Sequence, residues 1–163
     1  MSVRHKVLSR EQHQQVLQKL RLSDNLLSTI LQGHLYVEYW LNEVILKEWG
    51  SGRIIIDKFS FSQKVHIVEA AGLADMQEIV QSFREINALR NCFAHALFPE
   101  DIEAKLDKLT IPFEQSEDPT TLSTGVGRFL NVITRVSVFL LGYCEGSDGT
   151  AEPDSLLPVF LDP

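Results

Sequence analysis

Three residues with chemical capability stand within one short run, Arg90-Asn91-Cys92-Phe93-Ala94-His95. A histidine can move a proton near neutral pH. An arginine can grip two oxygens of a phosphate through its planar fork. Asn91 adds a neutral amide able to orient either group. On an ideal helix Arg90 and His95 point about 140° apart, while Asn91 and His95 differ by only about 40°. One helix therefore does not complete a site from this pair, but a cleft where two copies face each other does. Arg84, Ala88, Asn91 and His95 follow at spacings of four, three and four, which puts polar groups along one edge of the helix. Arg128 and Arg135, seven residues apart on a later helix, are candidates to bind phosphate at the same cleft. His34 and Glu38, at i,i+4 spacing, are candidate supporting groups.

The elements that carry these residues read as helices joined by short punctuated loops. A first helix is expected over about 9–20, with Val16, Leu17 and Leu20 inward. Ser23 is the expected N-cap of a long second helix reaching residue 48 and stopped by Gly50. The β-branched run Ile54-Ile55-Ile56 has no strand-like partner and reads as a buried connector. Ser60 and Gln63 have capping-box spacing for a short helix ending at Gly72. Asp75 opens a fourth helix to about Leu97. Pro99-Glu100-Asp101 opens a short fifth helix, with proline and acids in its first turn. Residues 112–119 read as loop, and a last helix covers about 121–143. The fold class is all-α: an up-and-down bundle of four main helices with short extra helices, occupying 1–146 and followed by a tail, 147–163.

On the fourth helix Ile79, Phe83, Ile86, Arg90, Phe93 and Leu97 form the expected core stripe, interrupted by Arg90. A charge in such a stripe needs a carboxylate or a wet groove, and Glu38 on the second helix is the expected partner. On that reading Arg90 stitches two helices, His95 complements the helix C-terminus and Asn91 caps a backbone group.

The run from Arg90 to His95 also resembles the Arg-x4-His signature of the HEPN superfamily, with Asn in the usual polar place after the Arg. The context is similar too. Residues 34–45 resemble that superfamily's long first core helix. Phe59-Ser60-Phe61-Ser62-Gln63-Lys64-Val65 with Ala70-Ala71-Gly72-Leu73 resembles the segment before the signature in mannitol-repressor-like and related small members. The resemblance covers about 24–98 well and the last helix more loosely. It implies a helical homodimer with the signature lining a cleft between protomers, and a metal-independent endoribonuclease or RNA-binding module of a stress, toxin–antitoxin or defence system. Arg90 and His95 become the catalytic pair and Asn91 the accessory residue. The alternative it implies is a non-catalytic regulator or interaction module resembling the mannitol operon repressor.

Composition bounds these readings. The chain has 163 residues, 44% hydrophobic and 23% charged, ordinary for one globular domain and wrong for a disordered, collagen-like or disulfide-stapled chain. The net charge of −7 disfavours non-specific binding of long nucleic acid. It is unevenly spread: residues 99–118 and 145–163 each carry −5, while Arg4, Lys6, Arg10, Lys19 and Arg21 face Glu11 alone in the first 21 residues. A local basic surface can still hold a short stretch of RNA. The expected partners are a second copy, RNA, and an antitoxin or regulatory protein, with no membrane. His34 with Glu38 and His66 with Glu69 have ligand spacing but no companions, so neither a metal nor another cofactor is expected. Two cysteines without CxxC or metal spacing read as reduced thiols, and the expected location is cytoplasmic.

Overall fold

The computed structural model describes residues 8–23, 25–50, 56–72, 76–95, 101–113 and 125–146. Its helices are α1 Arg10–Arg21, α2 Leu26–Trp49, α3 Phe61–Ala70, α4 Gln77–His95, α5 Ile102–Asp107 and α6 Gly125–Glu145, with a 3₁₀ turn at Ile56–Lys58 between α2 and α3. No strand occurs among the described residues, and the helices pack around one core. The fold is an all-α bundle. Arg4, Lys6, Ile54, Ile55, Asp75, Leu97, Pro99 and the tail 147–163 lie outside the described residues.

Local chemistry sets the helix starts. Ser9 and Gln12 satisfy each other's backbone N–H groups at the head of α1, and Ser60 and Gln63 do the same for α3. The cap of α2 is Asn25, which accepts from the Ser28 N–H at 2.9 Å. The expected cap, Ser23, instead donates its hydroxyl to the Asn25 carbonyl. Helix α2 therefore starts two residues later than its serine suggests. Gly50 ends it at φ 74°, a left-handed backbone open to glycine, while its N–H bonds to the Leu46 carbonyl. Helix α5 begins after Asp101, whose φ of 64° replaces a side-chain cap.

Helix α2 is the central post, with α6, α3, α4 and α1 all packed on it. Gly33 lies at its contact with α6, where a Cβ would stand 2.8 Å from the ring of fully buried Phe129. Trp40, Phe83 and Phe129 are the largest side chains wholly inside. Among the described residues α6 alone has the length and apolar composition of a membrane span; Phe129, Val132, Ile133, Val136 and Leu140 place its apolar face in the core.

Helix α1 is fastened across α2 and the end of α6. Leu20 enters the core, the Leu8 N–H donates to the Tyr39 hydroxyl at 2.8 Å, and Arg10 grips Glu145 at 2.6 Å. Buried His13 shares a hydrogen bond with the Tyr36 hydroxyl and meets Trp40 edge-on. Tyr36 and Trp40 are thus core residues of the single chain. The large apolar groups that remain exposed on α2 are Leu27, Leu31, Leu35 and Trp49.

Between α5 and α6 the segment 109–113 is strapped onto one side of α4. Glu85 accepts from the Thr110 N–H and hydroxyl at 2.7 and 3.0 Å, Glu78 accepts from the Phe113 N–H, and the Ser82 hydroxyl donates to the Thr110 carbonyl.

Candidate functional site

Helix α4 holds the run of interest on its last two turns and stays helical through His95. Its core stripe keeps Ile79, Phe83 and Ile86 and then turns to Leu89. Arg90 is left at the edge, exposed. Its guanidinium donates to the Asn91 side-chain carbonyl at 3.1 Å and meets no carboxylate among the described residues. Asn91 is half-buried, and His95 is exposed at the helix end.

The expected Arg90–Glu38 ion pair does not form. Glu38 is taken by Lys64, whose ammonium lies 2.6 Å from it and whose side chain is only 4% exposed. The reason is legible in α3: Phe61, Lys64, Val65 and Val68 share its inward face, so the lysine enters the bundle, where a buried ammonium requires a carboxylate. With Glu38 occupied, no carboxylate among the described residues pairs with Arg90.

His34 is buried on α2, stacked against Phe61 with ring centroids 4.3 Å apart. Its Nε2 lies 3.3 Å from the Asn87 side-chain carbonyl. Burial pushes its imidazole toward the neutral form; the Asn87 bond and Glu38 oppose this, and the charges of Arg90 and Lys64 reinforce it. Arg90 therefore lies near enough to His34 for its charge to be felt. Asn87 in turn donates to the Ser62 hydroxyl at 3.3 Å, so a polar chain runs from α2 through α4 to α3.

Beside that chain lies a cavity of about 270 Å³, lined by Phe61, Ser62, Val65, His66, Arg84 and Asn87. Arg84 reaches both oxygens of Glu69, at 3.0 and 3.2 Å. The same carboxylate lies 3.7 Å from the His66 ring nitrogen.

The other predicted phosphate ligands are engaged elsewhere. Arg128 donates to the Leu109 carbonyl at 2.8 Å. Arg135 donates to Asn131 and to the carbonyls of Pro112 and Phe113. Both arginines hold the 109–113 strap, which sits on the Glu78–Ser82–Glu85 side of α4, about 160° around the helix from Asn87. The structure thus brings Arg84, Asn87, Arg90, Asn91 and His34 to one region and leaves Arg128 and Arg135 out of it.

Comparison with protein-family models, curated proteins and solved structures finds no match for this chain. The site is accordingly read from its own geometry. Among the described residues no three His, Cys, Asp or Glu side chains come together as a metal cluster, and both cysteines are free thiols. Three contributors escape a reading centred on Arg90. Lys64 was signalled by its place on an apolar stripe. Asn87 stands one turn before Arg90, three residues after Arg84. Glu69 had only its spacing to His66 to mark it, which is the spacing of countless surface pairs.

Proposed function

We propose that this chain is a metal-independent endoribonuclease or RNA-binding module that works as a homodimer, with Arg90, Asn91 and His95 at the reacting phosphate. The observation that carries the reading is the exposed guanidinium of Arg90, free of any carboxylate among the described residues and bonded to the amide of Asn91. Arg10 and Arg84, by contrast, each pair with a carboxylate. Here the nearest expected carboxylate is claimed by Lys64. The similarity of residues 90–95 to the HEPN signature supports the same reading.

The reaction follows from the groups. Neutral His95 takes the proton of a ribose 2′-hydroxyl as that oxygen attacks the adjacent phosphorus. Arg90 holds two non-bridging oxygens and offsets the charge of the phosphorane. The bond from phosphorus to the 5′-oxygen breaks, and that oxygen takes a proton from the second copy's histidine or from water. The products are a 2′,3′-cyclic phosphate and a 5′-hydroxyl. Because Arg90 and His95 diverge by about 140° on α4, the two groups at one phosphate come from different copies.

The surface for that second copy is the exposed stripe Leu27–Leu31–Leu35 of α2. No Asp, Glu, Lys or Arg occurs between Asp24 and Glu38, so a like surface can meet it without burying charge. His34, whose ring lies against Asn87 of α4, belongs to this same stretch of α2. The same leucines favour the second reading, a regulator acting through protein contact, if no cleavage occurs.

The test is incubation of the purified protein with total RNA in the presence of EDTA. Cleavage that persists with chelator, disappears in His95→Ala, and is not restored in Arg90→Lys supports the reaction. Activity lost to EDTA, or intact in His95→Ala, refutes it, and inactivity of the wild-type protein on every RNA tried transfers the reading to the regulator.

A further inference from the structure

The cavity between α3 and α4 has a chemistry distinct from that of Arg90. We propose that it is a nucleobase subsite, taking the base of a nucleotide adjoining the phosphate held at Arg90 and so setting where RNA is cut. The inference rests on the RNA reading above and adds the recognition element that reading lacks.

The wall chemistry suits a flat ring. Phe61 and Val65 contribute apolar groups to the lining, and two planar groups, the Arg84 guanidinium and the His66 imidazole, line it as well. Stacking on aromatic rings and guanidinium planes is how unpaired bases are held. Glu69 ties both planar groups, at 3.0 Å to Arg84 and 3.7 Å to His66, which limits their freedom before a ligand arrives. A cavity of about 270 Å³ is below the range of sites for whole cofactors and admits a single small ring system.

Hydrogen bonding suits a base edge. Asn87 is fixed by His34 on its carbonyl side and by Ser62 on its amino side. A side-chain amide has two acceptor lone pairs and two N–H donors, so each side keeps one site. That leaves an acceptor beside a donor, the pairing by which amides read base edges.

Charge separates the two subsites. At the cavity the Glu69 carboxylate already pairs with Arg84, so the site favours a neutral ring over a phosphate. At Arg90 no carboxylate among the described residues is paired, so the anion goes there. The two lie on one helix: Arg90 follows Asn87 by three residues, about 4.5 Å of rise, and Asn91 by four, about 6 Å. A strand running along this edge of α4 places a phosphate at Arg90 with its neighbouring base over Asn87.

The experiment titrates the full chain with each of the four ribonucleoside 5′-monophosphates, followed by NMR at the Asn87 side-chain amide and the backbone amides of 61–66. In parallel, RNA cleavage sites are sequenced. Saturable shifts at those amides, unequal among the four bases and weakened about tenfold in Asn87→Ala, are expected, a factor within the range of one amide–base hydrogen-bonded pair. His66→Ala, a change at an exposed side chain that leaves the core intact, is expected to weaken the same binding and to flatten the preference among cleavage sites. Binding here without any RNA cleavage sustains the subsite and removes the reaction assigned to Arg90 and His95. Cleavage with no base preference, or with the same preference in both variants, overturns the subsite and leaves the reaction. Monophosphates that shift none of these amides overturn it as well.

Discussion

Acidification should loosen this protein through one histidine on α1. His13 is 4% exposed, set against Tyr36 and Trp40 of α2. Its Nδ1 shares a hydrogen bond with the Tyr36 hydroxyl. Its other ring nitrogen, Nε2, is buried with no partner among the described residues. A second proton would put a charge into this pocket, and burial pushes the imidazole down from 6.5 to about 4, against a weaker opposing pull from Glu145. Glu145 is itself engaged by Arg10 and cannot turn inward to help. The sign follows directly. The folded form holds the neutral ring and the unfolded form takes the proton more readily. Stability is therefore full above about pH 6.5 and falls as the pH drops toward 4.

A depression of about 2.5 pH units corresponds to about 3 kcal/mol at most, arriving at about 1.4 kcal/mol per pH unit. Against a typical domain stability of about 5–15 kcal/mol that is a large share. The loss should be felt first at α1, which His13, Arg10 and Leu8 fasten. Urea unfolding followed by circular dichroism at pH 7, 6, 5 and 4.5 measures it, alongside His13→Gln, whose amide can still bond to Tyr36. Wild type should lose stability more steeply than the variant by about 1 kcal/mol per pH unit. His34, also pushed down by burial, leaves a shared residual slope in both proteins. Parallel slopes for wild type and His13→Gln would refute the argument.

Lys64→Met should strand Glu38 and cost about 2–3 kcal/mol, less than a fully buried pair because Glu38 remains partly wet; Arg90→Ala should move the melting temperature by no more than a degree or two, and the reverse ranking would return Arg90 to a structural role. Gly33→Ala drives a methyl to 2.8 Å from the Phe129 ring, an overpacking cost of about 1–3 kcal/mol offset by about 1 kcal/mol of helix propensity, so chemical denaturation should show a net loss. Leu31→Glu puts a charge in the uncharged stripe of α2, and light scattering should show a dimeric wild type and a monomeric variant; equal masses would remove the two-copy cleft.

Helices were readable wherever a local rule is self-sufficient. The Ser60–Gln63 box and the Gly50 stop each need only their own few residues. The start of α2 was misplaced because Ser23 and Asn25 are both good caps, and nothing in the sequence says which oxygen will meet an N–H. The covering of α2 is not legible in α2 itself: His13 of α1 lies against Tyr36 and Trp40, which makes them core residues of the single chain, and the large apolar side chains left exposed on α2 are Leu27, Leu31, Leu35 and Trp49.

The site shows where one-helix reasoning ends. Periodicity placed Arg90 on the inward stripe of α4 and so demanded a carboxylate for it. Two facts reversed that. Lys64 of α3 reaches Glu38 first, and the core stripe moves from Ile86 to Leu89, which releases Arg90 to the edge. Competition for one acid between two cations on different helices cannot be settled from either helix alone, because burial decides it: the lysine that goes inside must take the carboxylate, and the arginine that can stay wet need not. The same logic moves Arg128 and Arg135. Their seven-residue spacing gave them a common face, but that face meets the carbonyls of 109–113, backbone groups that a buried strap must satisfy. Among the described residues the guanidinium of Arg90 meets no carboxylate and donates to the Asn91 side chain, and it is this uncompensated charge that makes the end of α4 the place where an anion is proposed to bind.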